Sequence, residues 1–519
     1  MHFYSTLHKR HTFFTTAVII GAVLIYCTKN LFFFDEDIFV TNVHSPFMQQ
    51  VWQRSFIVKQ FFRTELFLWG NNPAGWHVAG VVLHLSCAVT ALLVAQKILK
   101  YVAVSLDISQ QQIIPVTFFI LFLLAPIHSE PLCYILAQGV LMAALFSLLS
   151  ILFFLMAVEK EKKYSFFSLL FFVLALLSYE ISWLLPFMVC CLYGFAAVAR
   201  ELRWKTIWIH ALPFFIVFGA WIFIKTVFIS KSLVADYTGF SILQINPVTF
   251  IRNTGVLFLR NFIPPFTNTW AFAAAGAIFV LFISVAVYRV YTTNRAVFKL
   301  LLLLLLLTLL AVLPTAPFGI DSHDSESERY VYFSSVFAIL FLTVLITTIV
   351  SVKQLRPVIF ILLAVSYTYS LYTTIGYYKR GGNFSRQYLD ALNKNTADIT
   401  AVYLINQPTQ YEGALLLRAQ CRMPECDNEN NTVLNEYMQY LYHQPQSSYM
   451  TLSSKIITHV PAGLKTRIST LDSAGFYFPE IKMNIRNNTA SFTGTNPVTF
   501  SINNSGIAGL HNDSLYIFK

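Results

Sequence analysis

Three consecutive carboxylates, Asp35-Glu36-Asp37, follow directly on an apolar run, residues 12–31, long enough to cross a bilayer. Acidic side chains are costly in hydrocarbon and persist where they face water or a protein cavity, so this cluster belongs at a membrane surface. The stretch that follows, up to Gly75, mixes aromatic and basic residues: Trp52, Arg54, Lys59, Phe61, Phe62, Arg63 and Trp69, with Glu65 among them. Carboxylates beside an amphipathic, aromatic-rich segment suit chemistry on a substrate that is half lipid and half water-soluble. The plainer reading is a row of interfacial loop residues that ends a helix.

Other polar groups interrupt the apolar runs at intervals. His77 and His84 stand two helical turns apart and share a face. Either they pack and hydrogen-bond inside a bundle, or they touch a substrate or metal. His128-Ser129-Glu130 follows Pro126 at the end of an apolar run, and Glu180 separates two further runs. The loop 314–329 holds Asp321, His323, Asp324 and Glu326, which read as a solvated segment, with Glu328-Arg329 as the exception next to the following apolar run. Cys27, Cys87, Cys133, Cys190 and Cys191 lie in or beside apolar runs and read as small buried hydrophobes. Cys421 and Cys426 flank Met423-Pro424-Glu425 in a polar region. Metal binding there would need two more ligands and none is evident, so a local disulfide is expected if that region faces an oxidising compartment.

The elements that must position these groups are membrane helices. Of 519 residues, 56% are hydrophobic and 12% charged, well below the charge content of a soluble domain. The apolar residues gather in runs near bilayer length, which predicts an all-α polytopic protein with about eleven crossings, to within two. The runs are 12–31, 76–96, 101–124, 133–157, 165–177, 181–198, 206–229, 270–288, 300–312, 330–350 and 357–377. Asp107 and Gln110-Gln111-Gln112 interrupt the third, which reads as two pieces with one at the interface. Residues 230–269, weakly apolar and carrying Arg252 and Arg260, predict an interfacial or re-entrant helix. Basic residues collect in alternate loops (Arg10, Lys162, Arg203, Arg295, Lys353), placing the N-terminus in the cytoplasm and the first loop, 32–75, outside. That dispersal explains the net charge of +11 without nucleic acid. No small-residue cleavage motif follows the first run, so it reads as a retained helix.

Beyond Tyr378 the chain turns polar and rich in Asn, Ser and Thr. A short helix over 384–393 and strands near 401–405, 451–460, 498–502 and 514–518 are expected. The organisation read from this is a membrane domain, 1–377, and a small extracytoplasmic α+β or mostly-β domain, 378–519.

Four stretches now carry a resemblance. They are Phe34-Asp35-Glu36-Asp37 with Val40-Thr41-Asn42; Trp69-Gly70-Asn71-Asn72-Pro73-Ala74-Gly75-Trp76-His77 running into Val81-Val82-Leu83-His84; Ile127-His128-Ser129-Glu130; and Glu328-Arg329-Tyr330-Val331-Tyr332 before Ser334-Ser335. In this order, over residues 31–338, the chain resembles the polyprenyl-phosphate-sugar-dependent membrane glycosyltransferases of the GT-C fold. Within them it is similar to the branch related to the transmembrane O-mannosyltransferases with tetratricopeptide repeats, in the membrane part only. The second stretch is the most specific. The chain departs from that pattern at Ala125-Pro126, where relatives have a histidine before the proline, and at Ala137-Gln138-Gly139-Val140, where they have Gly-Arg and then Asp. Arg63 is followed by Thr64-Glu65 instead of proline, and no repeats follow the membrane part. Protein O-mannosylation is therefore not implied.

The resemblance implies an inverting hexosyl or pentosyl transfer from a polyprenyl-phosphate donor to a glycan, lipid or protein acceptor. Its setting would be the outer face of a bacterial cytoplasmic (inner) membrane. The acceptor hydroxyl needs a carboxylate to take its proton, which makes Asp35 or Asp37 the candidate base, Asp35 matching the family acid best. Glu36 either points away or helps to hold a divalent metal, Mg or Mn, the one cofactor implied. Arg329 and Arg63 are candidates for the phosphate, in the paired geometry arginine favours. His77, His128, Glu130 and Glu328 complete the implied substrate-binding set. A flippase or transporter for a lipid-linked glycan would instead put ionisable groups near the midplane of broken helices in two related halves. Here the polar motifs gather at one face and the halves differ. A non-catalytic membrane scaffold whose outer domain binds a partner is the third reading.

Overall fold

Each of the apolar runs contains a helix. The structure, a computed structural model, describes residues 2–34, 37, 38, 40, 55–102, 105–159, 163–200, 206–229, 246–266, 268–319 and 327–396, with short segments between 401 and 518. The longer helices are α1 (His2–Thr28), α2 (Phe56–Trp69), α3 (Pro73–Lys100), α4 (Ile108–Leu124), α5 (Ser129–Cys133), α6 (Gln138–Glu159) and α7 (Lys163–Leu176). Then come α8 (Leu185–Arg200), α9 (Ile207–Ile224), α10 (Pro247–Arg260), α11 (Thr269–Thr293), α12 (Arg295–Val312), α13 (Tyr332–Ile349) and α14 (Leu355–Thr396).

Among the described residues eight helices are long and apolar enough to cross a membrane, and a ninth if α4 and the bent piece after it form one span. Two shorter apolar helices, Thr15–Thr28 and Lys163–Leu176, cover the other two expected runs. The protein is a multi-pass membrane protein. Helices α6 and α13 sit at the centre, largely enclosed, whereas α9, α11 and α14 line the rim. On the rim Ile216, Ile278, Leu281, Phe282, Ile361 and Leu362 are exposed. Lipid accommodates such a belt, which water would penalise by the free energy of hydrating each side chain.

The run expected over 101–124 is divided differently. Helix α3 continues to Lys100, and Asp107 opens α4 as its N-cap instead of interrupting a span. Its carboxylate accepts the Gln110 N–H at 2.8 Å, and the Gln110 side chain accepts the Asp107 N–H at 2.9 Å, satisfying two orphan donors at once. At the other end Pro126 restricts Ala125 to an extended backbone, α4 stops at Leu124, and the chain bends by 49° into a 3₁₀ turn and α5. The segment expected to be interfacial or re-entrant contains α10, capped by Asn246, with Val248 and Ile251 exposed and Leu257 and Arg260 buried.

Helix directions give the bundle two polar ends. Helices α3 and α6 leave one end together and finish where Lys97 and Lys100 meet Glu159, 2.5 and 3.7 Å away. Asp107, Lys353 and Arg356 meet at that same end. The opposite end holds the start of α3, the bend after α4 and the 3₁₀ turn Glu328–Val331.

Helix α14 runs 42 residues, through position 378, so the expected domain boundary and the expected helix 384–393 fall inside one element. Beyond it, Ala401–Leu404 pairs in parallel with Ser505–His511 and Ser448–Leu452. Ser514–Phe518 and Asn428–Asn430 add antiparallel at the two edges of this five-stranded sheet, and two three-stranded sheets accompany it. Tyr388, Leu389 and Leu392 of α14 pack with Leu434, Tyr437 and Met438 against Phe33, Ile38 and Val40 of the first loop. Phe32 stacks on Tyr437 at 6.0 Å.

Candidate active site

The first loop is held down by Asp37. Its side chain is fully buried and accepts the backbone N–H groups of Phe34 (3.0 Å), Ile135 (3.2 Å) and Leu136 (3.0 Å). The Asp37 N–H in turn reaches the Phe34 carbonyl at 2.8 Å. Reciprocal bonds thus close the chain from Phe34 to Asp37 and tie it to the segment after α5. Asp35 and Glu36 lie between these two anchors in sequence and outside the described residues, as do Asp321, His323, Asp324, Glu326, Cys421 and Cys426. The metal expected at Glu36 and the disulfide expected at Cys421 and Cys426 therefore fall there too. Among the described residues no group of three His, Cys, Asp or Glu could hold a metal, and Asp37 spends both oxygens on backbone N–H groups.

The tryptophan-bracketed motif is a helix-to-helix hinge. Gly70 ends α2 at φ 54°, a left-handed backbone that favours glycine. Asn72 caps α3 by accepting the Ala74 N–H, Pro73 takes the first helical position, and the Trp76 indole donates to the Gly70 carbonyl at 3.0 Å. A Cβ on Gly75 would lie 2.3 Å from the Trp69 ring, so only glycine lets the indole lie there. His77, one residue beyond Trp76, is buried with Nε2 at 3.3 Å from the Phe32 carbonyl, and joins α3 to the first loop.

A chain of buried polar groups runs on from this hinge. His84 Nδ1 lies 2.8 Å from the Tyr332 hydroxyl, and His128 Nε2 lies 2.9 Å from the Ser335 hydroxyl. The two imidazoles meet edge to face at 5.1 Å. Beside them stand two buried acid–arginine pairs. Arg260, at the end of α10, pairs with Glu328 at 2.5 Å and also donates to the Ile263 carbonyl. Ser129 donates to the second Glu328 oxygen at 3.0 Å. Glu130 takes the backbone N–H of Arg329 at 2.8 Å on one oxygen and its guanidinium on the other. The two pairs cancel in charge, which offsets part of the desolvation of four ions.

Arg329 differs from the rest of this set in keeping some exposure. Its side chain is 17% exposed, against 0% for Arg260 and Glu130 and 4% for Glu328. The guanidinium carbon lies 4.9 Å from the Tyr330 ring centre and 5.5 Å from that of Tyr134. One flank is fixed by Glu130 and the rings fix its plane, an arrangement suited to a further oxyanion. Tyr179 stands close to Arg329 and Tyr330, and burial pushes its phenol well above the usual range.

Of the implied site residues, the structure brings His128, Glu130, Glu328 and Arg329 into one network and attaches Asp37 and His77 beside it through residues 132–136 and the first loop. It does not bring in Arg63. That residue is exposed on α2 and bonded to Gln60 at 3.4 Å, with no hydrogen bond to the network among the described residues. Glu180 pairs with Lys225 at 3.3 Å, and the Lys225 ammonium lies 4.6 Å from the Trp183 ring centre.

Reading the sequence missed Arg260 as a member of the network and gave Ser129, Tyr332 and Ser335 no role beyond their place in the motifs. An arginine closing an amphipathic helix was the available signal for it. It also missed Glu65, which points from α2 into the core beside Gln138 and is 2% exposed. Both Glu65 oxygens and the Gln138 carbonyl oxygen are buried without a donor. A proton on Glu65 lets the two side chains satisfy each other, and burial pushes that carboxyl up to about 9, with Gln138 pulling weakly the other way.

No protein-family model matches the sequence, and no curated protein matches it. Among solved structures, the chain is similar to the Archaeoglobus fulgidus oligosaccharyltransferase, crystallised tethered by a disulfide to an acceptor peptide containing the NVT sequon. The likeness covers 76% of this chain at 12% identity and a TM-score of 0.41, and spans 58% of that chain. A likeness of this degree leaves the function to be argued from the site.

Proposed function

We propose that this protein is a membrane glycosyltransferase of GT-C type. It moves a sugar from a polyprenyl-phosphate donor to an acceptor at the end of the bundle that holds Asp37 and Arg329. The observation that supports this most is Arg329, a guanidinium anchored on Glu130 and two aromatic rings, yet still partly exposed at the edge of a buried network. A departing polyprenyl phosphate gains negative charge as the glycosidic bond breaks, and a preorganised cation lowers the barrier by meeting that charge where it develops.

In this reading Asp35 is the base. The acceptor hydroxyl gives its proton to the Asp35 carboxylate while its oxygen bonds to the anomeric carbon. The bond from that carbon to the phosphate oxygen breaks, its electron pair leaves with the carrier, and the anomeric configuration inverts. Asp37 holds the segment in place through its three N–H contacts instead of taking the proton. The network of Glu130, Glu328, Arg260, His128 and Ser129 positions Arg329.

The test is sugar transfer by membranes carrying the protein, offered a panel of labelled polyprenyl-phosphate sugars. Wild type should transfer from at least one donor, and Asp35→Asn should lower turnover by about 10²-fold at saturating donor. No transfer from any donor would reject the transferase reading. Near-normal turnover in the variant would keep the activity and remove Asp35 as base. The alternation of basic loops orients this end outward. A cysteine placed at exposed Gln387 should then react with an impermeant thiol reagent on intact cells, and one at exposed Lys353 only after lysis.

A further inference from the structure

The end of the bundle farthest from Arg329 carries two clefts that the proposed reaction does not use. The first, about 350 Å³, lies between the last two turns of α3 and α6. On α3 it is lined by Leu93, Gln96, Lys97 and Lys100, spaced so that all four share one face. Leu152 and Met156 of α6 form the other wall. The second, about 320 Å³, opens on the other side of Gln96, which lines both. Its polar lining is Gln96 with Gln111 and Gln112 from the start of α4 and Thr16 of α1; its apolar lining includes Phe13 of α1 and, farther along α4, Val116, Phe119 and Ile120.

Along α3 and α4, depth orders both clefts in the same sense. At a rise of ~1.5 Å per residue, Lys100 stands roughly 10 Å nearer the end of α3 than Leu93. The first cleft is thus apolar at its inner end and cationic at its mouth. In the second, Ile120 lies deeper than Gln112 by about 12 Å on the same measure. Hydrocarbon inside and polar groups at the membrane boundary match the profile of a bilayer lipid. Two apolar troughs that meet at one polar residue match a lipid with two chains.

Charge sets the headgroup. Among the described residues Lys97 and Lys100 both pair with the carboxylate of Glu159, so these three side chains together carry one positive charge. Lys97 holds the carboxylate at 2.5 Å, whereas Lys100 is 3.7 Å away and 58% exposed, so Lys100 has donors directed elsewhere. We propose that this end binds one anionic diacyl phospholipid, with its phosphate at Lys100 and Lys97 and one acyl chain in each cleft on either side of Gln96. Anionic lipids are concentrated in the cytoplasmic leaflet, where the basic loops place this end. The bound lipid would brace α1, α3, α4 and α6 against one another at the end opposite the reaction.

Native mass spectrometry of the full chain tests this. The detergent-purified protein is exchanged into dioleoyl phosphatidylglycerol and dioleoyl phosphatidylcholine at equal concentration. The expected result is one phosphatidylglycerol retained per chain in preference to phosphatidylcholine. Lys100→Gln, which leaves the Lys97–Glu159 pair intact, should weaken that preference about fivefold. Leu93→Trp, which fills the first cleft without changing charge, should reduce retention of both lipids. Thermal unfolding of each variant establishes that it is folded. Equal retention of the two lipids by wild type would overturn the proposal, as would a preference unmoved by Lys100→Gln or a retention unmoved by Leu93→Trp. A polyprenyl phosphate displacing phosphatidylglycerol from the same residues would overturn the two-chain assignment.

Discussion

Asp37 accepts the backbone N–H of Leu136 at 3.0 Å across 99 positions of sequence, so the first loop and the segment after α5 are one structural unit. With Ile135 and Phe34 added, the carboxylate satisfies three donors in a buried place. Asp37→Ala should destabilise the folded protein by about 2–3 kcal/mol, since buried donors left without an acceptor bear their full desolvation cost. Thermal unfolding in detergent measures this, with Asp35→Asn as the control expected to unfold like wild type. An Asp37→Ala protein as stable as wild type would contradict the anchoring role.

Much of the bundle was legible in the sequence, because runs of Leu, Phe and Val near bilayer length have few other places to go. The positions that misled were polar ones. Asp107 reads as a break inside a span, yet an acid followed three residues later by Gln110 is the pattern of a helix start. The motif from Trp69 to Trp76 stood out by resemblance alone, and its local structure, a tight helix-to-helix connection with a left-handed Gly70 and a Gly75 with room only for hydrogen, was not legible. Glu328 and Arg329 stood out locally, but their partners did not. Arg260 comes from a segment 68 positions away and Glu130 from one 199 positions away, and nothing in a single sequence registers such distances.

The Arg260–Glu328 pair makes its own prediction. Removing one member leaves the other as an uncompensated buried charge, so Arg260→Met alone, or Glu328→Leu alone, should cost about 3–5 kcal/mol. The double variant should recover much of that loss, because two apolar side chains of similar volume leave no buried charge. Unfolding of the four proteins in one detergent gives the coupling. Additive losses in the double variant would mean that the two side chains do not act as a pair.

Glu65 should make stability depend on pH in a particular direction. Its carboxyl is raised from 4.5 in the ordinary state to about 9 in the folded protein, so the unfolded chain ionises first as pH rises. The stabilisation is complete below about 4.5 and is lost progressively until the folded group itself ionises near 9. Each pH unit between costs up to ~1.4 kcal/mol. Glu65→Gln keeps a donor toward Gln138 without a titrating proton and should flatten the decline. Melting temperatures of the two proteins across that range provide the check, and parallel curves would refute it.

Arg329 gives the sharpest test of the proposed chemistry, since its substitutions separate charge from geometry. Arg329→Lys keeps a cation but loses the planar fork that Glu130 and the two tyrosine rings hold in place, so it cannot hold Glu130 and a phosphate oxygen in the same arrangement. Arg329→Ala removes the charge and leaves Glu130 buried with only the Arg329 backbone N–H among its described donors. If Arg329 meets charge that develops on the leaving phosphate, the lysine variant should lose turnover by about 10²-fold with a smaller change in KM. If it only holds donor in the ground state, KM should rise and kcat should stay near wild type. Glu130→Gln offers an independent readout: it keeps an oxygen for the Arg329 N–H but removes the charge that holds the guanidinium. It should therefore reproduce part of the lysine phenotype while remaining folded. Steady-state kinetics with the active donor separates these outcomes, and unchanged kcat and KM in Arg329→Lys would remove Arg329 from the site.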